Sequence, residues 1–138
     1  MNEVIPRDEE YIFNEGVIVS QTDANGIITY ANRLFCEVSG YKVDELVGKP
    51  HSIVRHPDMP VAVFAKMWET IKGGQAWNGL VKNLRQDGQF YWVETEILPI
   101  QDEDNNITGY IAARKVASRK NIQENEEIYN KMLQSEAE

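Results

Sequence analysis

The sequence holds a single cysteine, Cys36, which excludes an internal disulfide and a cysteine-rich zinc site. It also lacks any apolar run near the ~18 residues that would cross a bilayer. The acidic N-terminus has neither the basic start nor the apolar centre of a signal peptide. We therefore expect a soluble, cytoplasmic chain in a reducing compartment.

Basic side chains are scarce as well. The 14 lysines and arginines face 22 aspartates and glutamates, a net charge of -8, so a nucleic acid backbone would be repelled. No nucleophile and base occur at a recognisable spacing, and the two histidines lie far from any cysteine or carboxylate cluster. We expect no nucleic acid partner, no metal site and no enzyme.

The order of predicted elements defines the fold class. Two β-branched runs flank the Asn25-Gly26 step, a strong hairpin signal, and a short helix is predicted to end at Gly40. A further helical turn follows, and Pro60 begins a longer helix that ends at Gly73. Three strands are predicted over 76–84, 90–100 and 107–116. Without parallel crossovers, this order predicts an α+β fold with helices on one face of an antiparallel sheet.

The chain after Ala117 differs from the rest because its apolar residues are few. They are Ile122, Ile128, Tyr129, Met132 and Leu133. This pattern predicts a helix with a narrow apolar stripe, which packs against the domain or pairs with a partner. We divide the chain into an N-terminal cap segment (1–15), a folded domain (16–117) and a C-terminal signalling or linker helix (118–138).

Charged residues gather just before the helix that Pro60 begins. A helix N-terminus has unpaired N–H groups and a partial positive charge, and Arg55 and His56 add donors, so this segment suits a phosphate or pyrophosphate. Asp58 would cap the helix or accept hydrogen bonds from a ribose or from Arg55. The alternative is a surface ion pair between Arg55 and Asp58, with His56 filling the turn.

The strand from residue 76 alternates in a second informative pattern. Trp77, Gly79, Val81 and Asn83 share one face. If this face points inward, Gly79 leaves room for a flat ligand, Trp77 offers a π surface, and Asn83 hydrogen-bonds to a polar edge such as that of an isoalloxazine. The alternative is that Asn83 ties down a loop and Gly79 lies at a bulge.

On the next strand, Tyr91 shares a side with Val93, Thr95 and Ile97, whereas Phe90 and Trp92 lie on the other side. An exposed Phe90 and Trp92 would form an apolar patch for a partner or for the C-terminal helix. The alternative is that the N-terminal segment covers them.

The element order and "TDANGIITYANRLFCEVSGY" resemble a PAS domain. The runs "GKPHSIVRHPDMP", "MWETIKGGQAWNGLVKN" and "DGQFYWV" resemble the sensory domain of bacterial aerotaxis receptors and related energy-taxis proteins. The resemblance covers about Val17 to Lys115. It implies a PAS fold with a five-stranded antiparallel sheet and a non-covalently bound FAD whose redox state the domain reports.

The resemblance also implies site residues. Arg55, His56 and Asp58 match the family's "RHPD" run, and the positions that line or border the flavin pocket are matched by Asn32, His51, Phe64, Trp77 and Asn83. We add Tyr91 and Trp68 from their places on the predicted elements. The implied function is a redox or oxygen sensor for energy taxis (aerotaxis). Its partner would be a chemotaxis-type signalling protein or the signalling region of a longer receptor, with a homodimer left open. Through such a partner the cytoplasmic chain would lie at the inner face of the membrane.

Three other functions known for PAS domains are considered: light sensing through a cysteinyl adduct, haem binding, and docking without a cofactor. Light-sensing flavin domains of this superfold carry a cysteine where this chain has "GKPHSIVRH", so we expect no cysteinyl photoadduct, and we interpret Cys36 as a small core residue. A haem-binding PAS domain would use His51 or His56 as axial ligand. A third hypothesis is a cofactor-free PAS module that serves for dimerisation or docking.

Overall fold

The computed structural model describes residues 3–137, and it begins its sheet with the predicted hairpin. Strands β1 (Ile18–Asp23) and β2 (Ile28–Ala31) pair antiparallel across a turn in which Gly26 has a φ of +83°. The Asp23 carboxylate accepts hydrogen bonds from the backbone N–H groups of Asn25 and Ile27. The predicted hairpin is therefore present, with positive φ at Gly26 but not at Asn25, and the Asp23 side chain stabilises the turn.

Short helices follow and lie over one face of the sheet. They are α1 (Arg33–Ser39), α2 (Val43–Leu46), a 3₁₀ turn (His51–Val54) and α3 (Val61–Lys72). The α3 helix begins directly after Pro60 and ends at Gly73, as predicted. Both ends of α3 therefore coincide with a local signal in the sequence.

The remaining strands complete a five-stranded sheet. They are β3 (Trp77–Leu84), β4 (Phe90–Gln101) and β5 (Ile107–Val116), and the strand order is β2-β1-β5-β4-β3 with every neighbouring pair antiparallel. The predicted fold class is confirmed.

The pairing register decides which side chains face the helices. Asn83 lies opposite Tyr91, and Thr95 lies opposite Arg114. Cross-strand partners share a face of a sheet, so these residues belong to the same inner face. That face also carries Ile18, which is fully buried against the helices.

The outer face of β3 and β4 is covered by α4 (Arg119–Ala137). Tyr129 stacks on Trp92 with ring centroids 6.4 Å apart, and its hydroxyl donates to the backbone carbonyl of Leu80 at 2.6 Å. Ile122 is also buried, whereas Ile128 is exposed. The predicted narrow stripe thus packs against its own domain.

Among the described residues, no helix has both the length and the apolar character needed to cross a membrane.

The N-terminal segment covers the rest of the predicted apolar patch. Tyr11 donates its backbone N–H to Phe90 O, and Phe90 donates to Glu9 O. The Glu10 carboxylate accepts two hydrogen bonds from Arg119 at the start of α4. The N-terminal segment therefore contacts the sheet at Phe90, and α4 packs over the neighbouring Trp92. The ion pair of Glu10 with Arg119 joins these two segments.

Candidate cofactor-binding site

A cavity of about 310 Å³ lies between the inner face of the sheet and α3, within the usual size range of ligand pockets. Its polar lining comes from the sheet, the hairpin turn and the 3₁₀ turn. Its apolar lining consists of Val54, Phe64, Met67, Trp68, Ile71, Val81, Ile97, Tyr110 and Ala112. A cavity with apolar walls and a few polar groups suits a flat aromatic ligand.

Arg114 on β5 is the main charged group of this cavity. It is 5% exposed, and burial lowers its pKa to about 10, so the guanidinium remains charged at neutral pH. It donates to Ser20 Oγ at 3.1 Å and to His51 Nε2 at 2.7 Å, and it lies 5.4 Å from the ring centroid of Phe35. No carboxylate is among its hydrogen-bond partners in residues 3–137. A buried cation without a counter-ion is costly, and an electron-rich ligand would offset that cost.

His51 lies beside Arg114 at the start of the 3₁₀ turn. Its ring stacks on Phe35, with centroids 5.6 Å apart, and its Nε2 also lies 3.0 Å from Ser20 Oγ. Burial, together with the charge of Arg114, lowers the pKa of His51 to about 3. The imidazole is therefore neutral, and it serves as an acceptor that holds the guanidinium in place.

Three more polar side chains lie on the inner face beside Arg114. Asn83 and Thr95 line the cavity directly, and both are buried. Tyr91 does not line the cavity, and its hydroxyl is fully buried near Asn83 without a well-formed hydrogen bond among the described residues. Burial raises the pKa of Tyr91, so the phenol stays protonated. Buried polar groups in proteins normally have partners, and the group available to the Tyr91 hydroxyl is the Asn83 amide, which itself lines the cavity.

Arg55 lines the cavity and is exposed, so the cavity is open to solvent beside it. The Arg55 guanidinium lies over the Phe64 ring, 4.1 Å from its centroid, and both residues line the cavity. At the helix start, the N–H groups of Val61 and Ala62 each donate to the carboxylate of Glu136 at 3.0 Å. This open end of the cavity therefore carries a cation, and the nearby α3 N-terminus, which is outside the cavity lining, already holds an anionic group.

His56 and Asp58 do not line the cavity, contrary to their predicted role beside Arg55. Arg55 forms an antiparallel bridge with Asn83, so this segment is extended and neighbouring side chains point to opposite sides. His56 is buried edge-on against the Phe90 ring, and its Nδ1 accepts the backbone N–H of Asp58. Burial, assisted by nearby Lys82, lowers the pKa of His56, so it is not a cationic donor.

The Asp58 carboxylate also has a different partner from those predicted. It accepts a hydrogen bond from Lys82 Nζ at 3.1 Å and is mostly exposed. The α3 N-terminus that Asp58 was predicted to cap is taken by Glu136. Of the alternative prediction, the surface pair of Asp58 with Arg55 is wrong because Lys82 is the ion-pair partner, whereas His56 does fill the turn.

Trp77 and Gly79 share the inner face, but the space above Gly79 is not free. A Cβ at Gly79 would lie 2.4 Å from Cη2 of Trp77, so the indole lies directly over this glycine. Trp77 does not line the cavity and instead packs against the core. The glycine makes room for the chain's own tryptophan rather than for a ligand.

Asn32 is a structural residue. Its side chain accepts from the N–H of Phe35 as the α1 cap, accepts from the N–H of Val19, and donates to Val17 O. These contacts use both acceptor sites and one of the two donors of the amide, and they fix α1 to β1. Of the predicted site residues, the structure brings five together around the cavity, namely His51, Arg55, Phe64, Trp68 and Asn83.

Sequence reasoning missed Arg114, Ser20 and Thr95. A usable signal existed for Arg114, because alternation along β5 places it on the same face as Tyr110 and Ala112. A charged residue in an otherwise inward-facing series indicates a buried functional group. Ser20 and Thr95 are too common in strands to give such a signal.

The PAS fold family matches residues 28–114, and the chain therefore belongs to this family. The aerotaxis receptor of Escherichia coli strain K12 is 45% identical over 116 residues, which are 84% of this chain and 23% of the receptor. The nitrogen fixation regulatory protein of Klebsiella pneumoniae is 31% identical over 99 residues, 72% of this chain and 20% of that protein. The chain thus spans less than a quarter of the length of either relative, and the predicted resemblance is confirmed.

A solved structure shares the fold. The light state of the blue-light photoreceptor Aureochrome1 LOV superposes with a TM-score of 0.70, covering 88% of this chain and 91% of that one, at 22% identity. This agreement independently confirms the five-stranded PAS architecture.

Proposed function

We propose that this chain is an FAD-binding PAS sensor domain, not an enzyme, that relays the redox state of its flavin to a chemotaxis-type signalling partner. The observation that carries the proposal is the buried Arg114, which lies in an apolar cavity without a carboxylate partner among residues 3–137. The similarity to an aerotaxis receptor supports the redox or oxygen stimulus.

The lining residues fit an isoalloxazine. Val81 and Ile97 offer apolar surface from the sheet, Phe64 and Trp68 enclose the opposite side, and Asn83 supplies a donor and an acceptor. When bound, flavin supplies reversible electron transfer, with added negative charge or a proton on reduction. Arg114 would stabilise such charge, because a fixed cation in a dry site acts at low effective dielectric.

Arg55 favours FAD over FMN. It lies at the open end of the cavity near the α3 N-terminus, where a guanidinium fork and the N–H groups that hold the Glu136 carboxylate in this structure would match a diphosphate. His56, which the sequence predicted as a second donor, does not contribute here.

Haem is a weaker candidate. His51 Nε2, the atom that would ligate iron, accepts a hydrogen bond from Arg114 at 2.7 Å. His56 is buried outside the cavity lining, with its Nδ1 engaged by a backbone N–H. A histidine ligand would therefore require a rearrangement that a flavin does not.

The output would pass through the sheet to α4. Tyr91 faces the cavity side of β4 and the next residue, Trp92, faces α4. A change in hydrogen bonding on the inner face can thereby alter how Tyr129 docks on the outer face. The receiver would be a separate signalling protein or the rest of a longer receptor, in the cytoplasm or at the inner face of the membrane, and a homodimer is a further assembly consistent with the proposal.

A visible spectrum of the purified protein tests this proposal. Flavin bands near ~450 nm are expected, with FAD as the cofactor released by heat. A Soret band near ~400 nm would favour haem instead. A colourless protein that takes up no flavin on reconstitution would favour the cofactor-free docking module.

A further inference from the structure

The last turn of α4 is hydrogen-bonded to the first turn of α3. Glu136 accepts hydrogen bonds from the N–H groups of Val61 and Ala62, one on each carboxylate oxygen and both at 3.0 Å. These hydrogen bonds lower the pKa of Glu136, and the charge of Arg55 lowers it further. The carboxylate is solvent-exposed and far along the chain from its partners, so it acts as a cap supplied by a distant segment.

This contact occupies the groups that the proposed function assigns to a diphosphate. Val61 and Ala62 lie in the first turn of α3, where N–H groups have no partner within the helix. Arg55, close enough to act on Glu136, also lines the open end of the cavity. One small region cannot satisfy both a carboxylate and a diphosphate, because two anions there would repel each other.

We propose that Glu136 is an intramolecular competitor of the bound dinucleotide, so that a diphosphate at Arg55 releases the last turn of α4. This inference rests on the proposed binding of FAD and adds a regulatory consequence, in which occupancy of the site controls the docking of the helix end. The end of α4 would therefore report that FAD is bound, whether the flavin is oxidised or reduced.

The release would be local. Tyr129, two turns before Glu136, is buried and hydrogen-bonded to Leu80 O, and Ile122 is buried at the start of the helix. From Gln134 to Ala137 every residue is exposed. The competition thus acts on the end of α4, while its first part stays docked on the sheet.

Hydrogen exchange of the purified chain tests the competition. Backbone amides near the end of α4 should exchange faster with FAD than in the apo protein. Riboflavin, which carries the same ring without a diphosphate, should leave them unchanged. Unchanged exchange in an FAD-saturated protein would overturn this inference while leaving the proposed function intact. Failure to bind any flavin would overturn both.

A charge-removing variant supplies the second measurement. Glu136→Gln should tighten FAD by about two- to fivefold, the range expected from losing a weak exposed competitor, and should not affect riboflavin. Glu127→Gln is the matched control, because it removes the same charge from an exposed residue of α4 whose side chain makes no hydrogen bond or ion pair among the described residues. An FAD dissociation constant equal in Glu136→Gln and wild type would overturn the inference.

Discussion

Arg114 Nη2 and His51 Nε2 lie 2.7 Å apart in the centre of the domain. Because a guanidinium can only donate, the imidazole must accept at Nε2, and its proton is on Nδ1. The low pKa of His51, about 3, agrees with this neutral state. The pair therefore carries one positive charge, held at Arg114 and directed at the cavity.

Replacing Arg114 should affect the ligand more than the fold. Arg114→Met should weaken flavin retention by ~1.5–3 kcal/mol, roughly ten- to a hundredfold, because a charged hydrogen-bond donor is lost. The apo protein should lose no more than ~1 kcal/mol of stability, since the variant also removes a desolvated cation. Titration of apo protein with FAD and thermal melting measure the two effects. An unchanged dissociation constant would contradict the assignment, and Arg33→Met, at an exposed arginine, is the control.

Acid should destabilise the apo protein through His51. The pKa of His51 is about 3 in the folded protein, below its ordinary value of 6.5, which applies to the unfolded chain. Between these two pH values the unfolded chain therefore binds more protons than the folded protein. The contribution of neutral His51 to the free energy of unfolding is fully present above pH 6.5 and declines as the pH falls toward 3. From pH 7 to pH 5 the loss should be about 2 kcal/mol. Denaturant unfolding at the two pH values, compared with His51→Gln, isolates this contribution. Equal losses in the two proteins would mean that His51 titrates normally.

The fold was predictable because its signals are local. The Asn25-Gly26 step, Pro60 and Gly73 mark element ends by their own backbone preferences, and the strands follow from alternation. These features depend on neighbours in sequence, which a single chain shows directly.

The site was predictable only in part because it depends on side-chain direction and distant contacts. Arg55 and His56 are adjacent in sequence, yet an extended backbone turns them to opposite sides. Trp77 lies back over Gly79, which no alternation pattern reveals. Glu136 reaches Val61 across 75 positions of sequence, and no local signal predicts such a contact.

Arg55 should matter for FAD rather than for stability. Arg55→Ala should weaken FAD binding by ~1.5–3 kcal/mol, and Arg55→Lys should restore only part of it, because an ammonium lacks the bidentate fork. Riboflavin affinity should change little, since the guanidinium lies at the open end of the cavity. Flavin content and melting temperature report both effects. Full FAD occupancy with an unchanged dissociation constant in Arg55→Ala would remove the diphosphate assignment.

Blue light should produce no long-lived adduct in the flavin-loaded protein, although the fold matches that of a light receptor. Cys36 does not line the cavity, and burial raises its pKa, which lowers its thiolate fraction. Absorbance near ~450 nm should therefore recover without a slow phase after illumination. Slow thermal recovery that disappears in Cys36→Ala would contradict this expectation.

Tyr129 should couple α4 to the sheet without touching the ligand. Its hydroxyl donates to Leu80 O at 2.6 Å, while its ring stacks on Trp92. Tyr129→Phe keeps the stacking and removes the hydrogen bond, so α4 docking should weaken by ~0.5–1.5 kcal/mol and FAD affinity should stay the same. Hydrogen exchange of the α4 amides in the oxidised and reduced protein measures the docking. Tyr30→Phe, at a half-exposed tyrosine on β2, is the control. If Tyr129→Phe leaves both exchange and its redox dependence unchanged, the signal does not pass through this hydrogen bond.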